Sequence, residues 1–407
     1  MWELIRANKR NSIILMSVMA AVLILLGFII GSVFFGQKGS FLGIIIAAAI
    51  WLILTMISFS SGDQIFLASS GAKRVTHEVH PQLFNVVEEM SIAASIPVPK
   101  VYIINDPAPN AFATGRNPKS ASVAVTAGLL ARLNRDELQG VIAHEMSHIL
   151  NRDILFVTMA GIMLGSIVLL SQVFLRGMFY SSMAGSQRRY SAGGKGGGQA
   201  QLIMLVIAII AAILAPIMAQ LLYFALSRRR EYLADAGSAR LTRYPEGLAC
   251  ALGKIANDHS PQLTSANKVT APMYIVNPFK KKKQVKLSDL TSTHPPISER
   301  IKILRNMTHG ASFKDYSDSY SNITHAKAVV PATGMKKEDV AIREAAPETK
   351  QQRTKKQLRQ VGDIMRKVNG FIFLTCVCGL KLKVPPNSTI TKVRCPKCKN
   401  VLNMPRK

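Results

Sequence analysis

Charged residues are missing altogether from four long windows of this 407-residue sequence. Soluble cores rarely need apolar stretches of such length, whereas about 20 apolar helical residues cross a hydrocarbon core about 30 Å thick. The missing charge therefore argues against a soluble protein and predicts four transmembrane helices. The windows are Asn11–Gln37, Gly39–Gly62, Ile154–Leu175 and Gly196–Ser227.

For the last two windows, a buried helix in a protein core is the alternative to a membrane span, because Gly196–Gln201 is polar and Pro216 interrupts the final apolar run. The sequence also lacks a clear small-residue cleavage site between the first two windows. The first run is therefore expected to be an uncleaved anchor, although Arg6, Lys9 and Arg10 precede it as in a signal peptide. Together the windows predict an integral, multi-pass membrane protein.

Acidic residues are scarce: 23 Asp and Glu stand against 51 Lys and Arg, a formal net charge of +28. Such an excess can indicate nucleic acid, but an anionic lipid surface beside several spans is a simpler partner. The distribution of Lys and Arg also predicts which side of the membrane each segment occupies. More Lys and Arg residues lie in segments 1–10, 66–152 and 228–230 than on the other side, which has Lys38 and the four cations of the Gly-rich loop 176–200. Both termini and the 66–152 segment are therefore predicted to be cytoplasmic.

Cysteine is rare too, and four of the five cluster near the C-terminus, which favours metal binding over a disulfide framework. Two close pairs flank a predicted hairpin of Leu380–Val384 and Thr389–Val393, the pattern of a structural zinc site in a small β zinc ribbon. The four are Cys376, Cys378, Cys395 and Cys398. Unrelated free thiols are one alternative. A redox pair is another, but it would need a thioredoxin-like βαβ pattern.

The partner of this basic ribbon stays open. Anionic lipid and an acidic docking partner both suit its lysines and arginines. Nucleic acid is unlikely, because no aromatic residues are interleaved for base stacking.

Composition divides the remainder of the chain into segments. A small α+β domain is expected in two parts, with strands at Lys100–Ile104 and Ala121–Thr126 and a helix over Val75–Ile92. Asn134 and Glu137 are spaced as a capping box that opens a further helix. The expected divisions are 1–65 (two spans, about 12–36 and 40–62), 66–153, 154–227 (a transmembrane hairpin), 228–308, 309–368 (a charged linker) and 369–407 (the ribbon).

The helix that begins near Asn134 carries the sequence HEMSH. His144 and His148 are four residues apart, so they lie on the same helix face and can bind one zinc ion. Glu145 lies next to the first and can act as general base toward an attacking water. Because HExxH also arises by chance, a pair of surface histidines is the alternative.

A catalytic zinc usually takes three protein ligands, and no acid follows at the short spacing typical of gluzincins except Asp153. Glu231, in "RRREYLADAGSA", is the better candidate. Two crossings by the third and fourth spans would return it to the side of His148. Asp235, four residues further, is placed to hold a ligand imidazole. An ordinary charged helix start is the alternative for both residues.

Four motifs together, HEMSHILNRD, RRREYLADAGSA, NAFATG and STHPPISERI, resemble the HtpX-type membrane zinc metallopeptidases, relatives of the CAAX prenyl proteases. The resemblance covers about residues 1–305. It implies endopeptidase action on damaged or misassembled membrane proteins, a catalytic domain at the cytoplasmic face of a bacterial cell membrane, zinc on His144, His148 and Glu231, and Glu145 as base. It also places Asn110, Ala111 and Phe112 beside a cleft where the following strand can pair with an extended substrate.

His294 and Arg300 come from the last motif. His294 can stabilise a developing oxyanion or can be a structural residue before a Pro-Pro turn, and Arg300 can support it.

The expected architecture is thus a mainly α membrane protein: four transmembrane helices, a cytoplasmic α+β gluzincin-like zinc peptidase domain and a C-terminal zinc ribbon, with one catalytic and one structural zinc ion. A non-catalytic membrane scaffold that recruits a partner through its ribbon is the alternative function.

Overall fold

The computed structural model describes residues 2–183, 197–258, 274–276, 294–328, 330, 340–345, 355–386, 388 and 392–404. Most of the Gly-rich loop 176–200 and the basic run Lys280–Lys283 lie outside the described residues.

Helix α1 (Trp2–Ser69) carries the first two predicted spans and folds back on itself. Ser32 Oγ lies 2.7 Å from Ser40 Oγ, whereas eight residues of straight helix would separate them by about 12 Å. A Cβ atom on Gly31 would lie 2.2 Å from the Gly39 carbonyl oxygen, so the two arms cross where only glycine fits. Both arms, Ile5–Val33 and Gly39–Ser69, are long and apolar enough to span a membrane.

Two more apolar helices pack against α1: α5 (Ile154–Met183) and α6 (Gly197–Thr242). The stretch Met159–Gly177 of α5 is the third candidate span. The fourth prediction coincides with Leu205–Leu221 of α6, which at 17 residues is shorter than the about 20 that a crossing needs. The described residues thus hold three candidate spans, and the fourth stays a prediction.

A four-stranded sheet begins the extramembrane domain, in the order β1 (Ala72–Arg74), β2 (Lys100–Ile104), β4 (Ser122–Thr126) and β3 (Ala111–Thr114). β2 runs parallel to β4, and the other pairs are antiparallel. The two predicted strands are confirmed. The predicted helix is present as α2 (Pro81–Ala94), which begins at Pro81 and not at Val75. β3 was not among the predicted strands. Its four buried residues form a strand because they pair with β4.

Helix α4 (Arg135–Leu150) is the centre of the domain and packs against α2, α6 and α7 (Pro245–Ala256). The predicted capping box at Asn134 and Glu137 is present. Two glycines allow the close approach of its neighbours. A Cβ on Gly140 would lie 2.6 Å from the Leu248 nitrogen, and one on Gly237 of α6 would lie 2.3 Å from Ser147 Oγ.

The chain after residue 308 differs from the expected charged linker. Three helices follow α7: α8 (Ile297–Arg305), α9 (Phe313–Thr324) and α10 (Lys355–Val368), with the short α3 (Ala127–Arg132) earlier in the chain. Tyr316 of α9 is fully buried in the main core, and α10 packs on α3. Arg343 forms an ion pair with Asp136 of α4. The polar composition of this segment did not predict these contacts, because each helix presents only one apolar face to the domain and its other faces are polar.

The ribbon contains two hairpins, whereas a single hairpin between the cysteine pairs was predicted. β5 (Ile372–Thr375) pairs with β6 (Lys381–Val384), and β7 (Lys392–Arg394) pairs with β8 (Val401–Asn403). Each cysteine pair therefore lies in the turn of its own hairpin. Gly379, at φ +80°, permits the first turn, which the Gly379 N–H closes on the Cys376 carbonyl at 2.8 Å.

Candidate metal centre and active site

Helices α4 and α6 bring together the three residues predicted to bind zinc. His144 Nε2 lies 3.2 Å from His148 Nε2, and the Glu231 carboxylate oxygens lie 3.5 Å from His148 Nε2 and 3.7 Å from His144 Nε2. Two nitrogens bound tetrahedrally to zinc at 2.0–2.1 Å would be about 3.3 Å apart. The nitrogen and oxygen atoms of this group therefore have the spacing that one zinc ion requires.

Close helix packing explains why residues 83 positions apart meet. Gly237 lets α6 approach Ser147, and Ser238 Oγ donates a hydrogen bond of 2.7 Å to the Gly140 carbonyl oxygen. Both contacts lie between the helices that carry the ligands. The meeting of His148 and Glu231 thus follows from the packing of α4 against α6.

Each imidazole is oriented by its own carboxylate. His144 Nδ1 lies 3.0 Å from Asp235 Oδ1, and His148 Nδ1 lies 3.0 Å from Asp153 Oδ2. Holding Nδ1 in this way directs the Nε2 lone pair of each ring toward the common point, as in known zinc sites. This arrangement supports the fit to zinc. The role of Asp153 was missed, because the sequence offered it only as a rejected third ligand.

Arg300 is fully buried beneath these groups. Its Nε and Nη2 donate to the two Asp235 oxygens at 2.8 and 2.7 Å, and its Nη1 lies 3.2 Å from Glu231 Oε2. His294, 4% exposed, places Nδ1 3.0 Å from the same Glu231 oxygen. The structure therefore gives Arg300 the position of a counter-charge for two carboxylates, with His294 at the edge of the metal ligand group.

The electrostatics of the site set the protonation of its carboxylates. Burial raises the pKa of Glu145 to about 8, with the Glu231 charge adding to the effect. Burial also opposes ionisation of Glu231, but His294, His148 and Arg300 outweigh it and hold its pKa well below the usual range. For His148, the Asp153 carboxylate outweighs burial and raises the pKa. In the absence of metal, Glu145 is thus the carboxyl of the site that holds a proton most readily.

The outer edge of β3 faces this site. The main-chain N–H of Ala113 faces the Glu145 carboxyl and favours its ionised form, which lowers its pKa against the larger effect of burial. The chain's own residues 274–276 lie along the same edge: the Ile275 N–H donates to the Ala111 carbonyl at 3.0 Å, and the Asn110 Nδ2 donates to the Val276 carbonyl at 2.8 Å. Phe112 points to the other face, where its ring meets that of Tyr274 at 5.1 Å. The segment 274–276 therefore occupies the edge predicted for substrate.

Arg300 joins this edge to the metal ligands, because its Nη1 also donates to the Ile275 carbonyl at 3.2 Å. A peptide main chain next to β3 is thus contacted by an asparagine amide, a strand carbonyl and a guanidinium. Sequence reasoning did not find the segment 274–276, which lies in a stretch without a clear secondary-structure pattern.

The four ribbon cysteines form a second group, with one sulfur from each residue within 4.8 Å of the others. Cys376 Sγ lies 3.3 Å from Cys398 Sγ, and Cys378 Sγ lies 3.6 Å from Cys395 Sγ. Main-chain N–H groups of Cys398 and Lys397 lower the pKa of Cys395 to about 6, which favours the thiolate that binds a metal. The donor set fits a tetrahedral zinc ion.

Comparison with known proteins agrees with this geometry. The sequence model described as Peptidase family M48 matches residues 77–308. A "Protease HtpX homolog" of Dictyoglomus thermophilum is 47% identical over 306 residues, 75% of this chain and 94% of the relative. One of Streptococcus gordonii is 42% identical over 307 residues, 75% of this chain and 100% of the relative. The crystal structure of S. mikatae Ste24p is similar over 75% of this chain and 67% of that chain, at 19% identity and a TM-score of 0.40.

Proposed function

The chain belongs to peptidase family M48 and is a zinc metalloprotease, and from this premise we propose that it is an endopeptidase that hydrolyses misfolded or damaged membrane proteins at the cytoplasmic face of a bacterial inner membrane. The observation that carries the proposal is the metal ligand group. Two imidazoles and the Glu231 carboxylate converge within 4.8 Å, and a carboxylate orients each imidazole. The resemblance to HtpX-type peptidases is confirmed by relatives that are 47% and 42% identical.

His144, His148 and Glu231 would hold the catalytic zinc. When bound, zinc supplies Lewis-acid polarisation of a water molecule and of the scissile carbonyl. Glu145 takes a proton from the attacking water as the water oxygen bonds to the carbonyl carbon. It then gives the proton to the leaving nitrogen as the C–N bond breaks. The buried position of Glu145 beside the ligands supports this role, since its carboxyl holds a proton readily.

His294 would stabilise the oxyanion that forms on the carbonyl oxygen. Its contact with Glu231 holds the ring at the edge of the metal ligand group. A hydrogen-bond donor held in advance at this place can stabilise the negative charge that develops on the carbonyl oxygen. Arg300 would act by positioning, because its guanidinium holds Asp235 and Glu231.

The substrate main chain would pair with the outer edge of β3, contacting Asn110 and Ala111, with Phe112 supporting the strand from its other face. The chain's own residues 274–276 support this assignment, because they show these groups binding a main chain. This segment would have to leave before substrate pairs.

Two features support action at a membrane surface. Three candidate spans are present, and α4 ends at Leu150, four residues before α5 begins at Ile154. The catalytic residues are therefore a few turns of helix from the lipid boundary. The excess of cations in 1–10, 66–152 and 228–230 supports the cytoplasmic side for this domain and for both termini. The ribbon cysteines would hold a second, structural zinc ion.

The scaffold alternative is not favoured, because it gives no reason for Glu145 to lie buried beside the metal ligands.

The direct test is Glu145→Gln, measured with the full chain in detergent and a model membrane substrate. Zinc content should stay at the wild-type value because the ligands remain, while cleavage should fall about 10³-fold. Glu88→Gln, an exposed change of the same kind on α2, is the control and should cleave normally. Wild-type cleavage by the Glu145→Gln protein would overturn the proposal.

A further inference from the structure

A cavity of about 1090 Å³ lies between the membrane helices and the peptidase domain; none of the three metal ligands lines it, although Arg152 at its wall is next to Asp153. Most of its wall is apolar. The α1 helix contributes Ile13 and Met16 from its first arm and Phe59 from its second, and α5 contributes Met159. The domain closes the other side at Ile96. The wall therefore suits a hydrocarbon chain.

The charged part of the wall is basic. Lys9, Arg116, Lys119 and Arg152 line the cavity together with the neutral Ser95 and Asn117, and the lining residues that the structure describes include no acid. None of the four forms an ion pair with a carboxylate in the part of the chain that the structure describes. Arg116 instead lies over the Phe59 ring, 5.6 Å from its centroid. By contrast, Arg132 and Arg300 are paired with acids. Four cations around one cavity without a counter-charge favour an anionic ligand.

The cavity also lies at one end of the membrane helices. Ile5, at its wall, begins the first candidate span, and Met159 begins the third. Phe59 lies ten residues before the end of the second span at Ser69. The first and third spans thus begin at the cavity, whereas Phe59 lies within the second span. We therefore place the cavity near the level of the lipid headgroups, on the side of the peptidase domain.

We propose that this cavity binds one anionic phospholipid, with its phosphate among the four cations and its acyl chains along the apolar wall. Basic pockets between membrane helices at the headgroup level are the usual recognition sites for anionic lipids. A free phosphate would contact the cations and leave the apolar wall exposed to water. The combination of both surfaces therefore selects the lipid.

The site adjoins the metal centre through one turn of chain. Arg152 has a φ of +59°, the left-handed region that costs a non-glycine residue energy, and Asp153 follows it directly. Asp153 orients His148. A lipid phosphate on Arg152 would hold this turn in place, so lipid occupancy should also favour the ordered metal centre.

Lipid binding is tested on the full-length Glu145→Gln protein, so the outcome does not depend on peptidase activity. The protein is delipidated and titrated with fluorescently labelled phosphatidylglycerol or phosphatidylcholine in detergent. Phosphatidylglycerol should bind at least tenfold more tightly. The variant with Arg116, Lys119 and Arg152 each changed to Gln should lose at least tenfold in affinity for phosphatidylglycerol. The control changes the exposed Lys302, Lys314 and Lys327 to Gln, removes the same net charge and should bind normally.

Two further measurements keep the result decisive. Ile13→Trp fills part of the cavity without changing its charge and should weaken the binding of phosphatidylglycerol. This variant also tests the proposal if the triple variant does not fold. Millimolar inorganic phosphate should not displace the lipid, whereas displacement would show a phosphate site alone. Equal binding of the two lipids, or equal losses in the triple variant and its control, would overturn the proposal.

Discussion

The carboxylates that orient the two ligand imidazoles offer a quantitative test of the metal centre. Asp153 and Asp235 each lie 3.0 Å from the Nδ1 atom of one histidine, but their surroundings differ. Asp235 is fully buried and bound twice by Arg300. Asp153 is buried as well, but its ion pair is with His148, whose side chain is 13% exposed, and no guanidinium among the described residues is paired with it. The same change, Asp→Asn, should therefore have two separable effects.

Removing a carboxylate that orients a metal-ligating histidine costs about 10- to 100-fold in metal affinity. We expect Asp153→Asn to weaken zinc binding about 10-fold, about 1.4 kcal/mol, with little loss of stability. Asp235→Asn should weaken it about 100-fold. It should also destabilise the protein by about 3 kcal/mol, because the buried Arg300 loses the carboxylate that it binds twice and keeps only Glu231.

The assay is competition for zinc with a chromophoric chelator, beside thermal unfolding of the same samples in detergent. Asp318→Asn is the matched control, since its pair with Lys314 is exposed and contributes little to stability. A zinc Kd for Asp153→Asn within twofold of wild type would refute the role of that carboxylate. Equal stability of the two variants would refute the coupling through Arg300.

Three other measurements follow from the architecture. Replacing the four ribbon cysteines by Ser should lower the bound zinc from two ions per chain to one. Limited proteolysis of this variant should then stop near residue 368, because α10 packs on the domain. A single zinc ion in the wild-type protein would contradict the ribbon site. Gly31→Leu should destabilise the α1 hairpin by about 1–3 kcal/mol, because its Cβ would lie 2.2 Å from the Gly39 carbonyl oxygen. Gly165→Leu is the control, since a Cβ there has nothing within 4 Å. Equal unfolding temperatures of the two variants would contradict the close crossing of the two arms of α1. Reporters placed after Arg152 and within 185–198 should report opposite sides of the membrane, and the same side for both would show that the third and fourth windows are not both spans.

Much of the metal centre could be predicted because it depends on local geometry. The spacing of His144 and His148 places both rings on one face of any helix, and the capping box at Asn134 marks where that helix begins. The first three spans could be predicted for a similar reason, since an uninterrupted apolar run has few alternatives to crossing a membrane. Glu231 needed a topological argument, and the structure brings it to the two histidines.

Other features depend on contacts between distant residues, which no local pattern encodes. β3 is a strand only because β4 lies beside it, and Asn110 meets Val276 across 166 positions of chain. The ribbon formed two hairpins in place of one, because each cysteine pair closes its own turn.

The first three spans, the HExxH helix and the residues able to hold metal could be predicted from local pattern, because helical periodicity and runs of missing charge act over a few turns. Three other features appear only in the folded chain: Asp153 orients His148, Arg300 neutralises Asp235 and Glu231, and residues 274–276 lie on the edge of β3. These contacts depend on the packing of α4 against α6 and of the sheet against both. A buried charge is stable only where that packing brings its partner within hydrogen-bond distance.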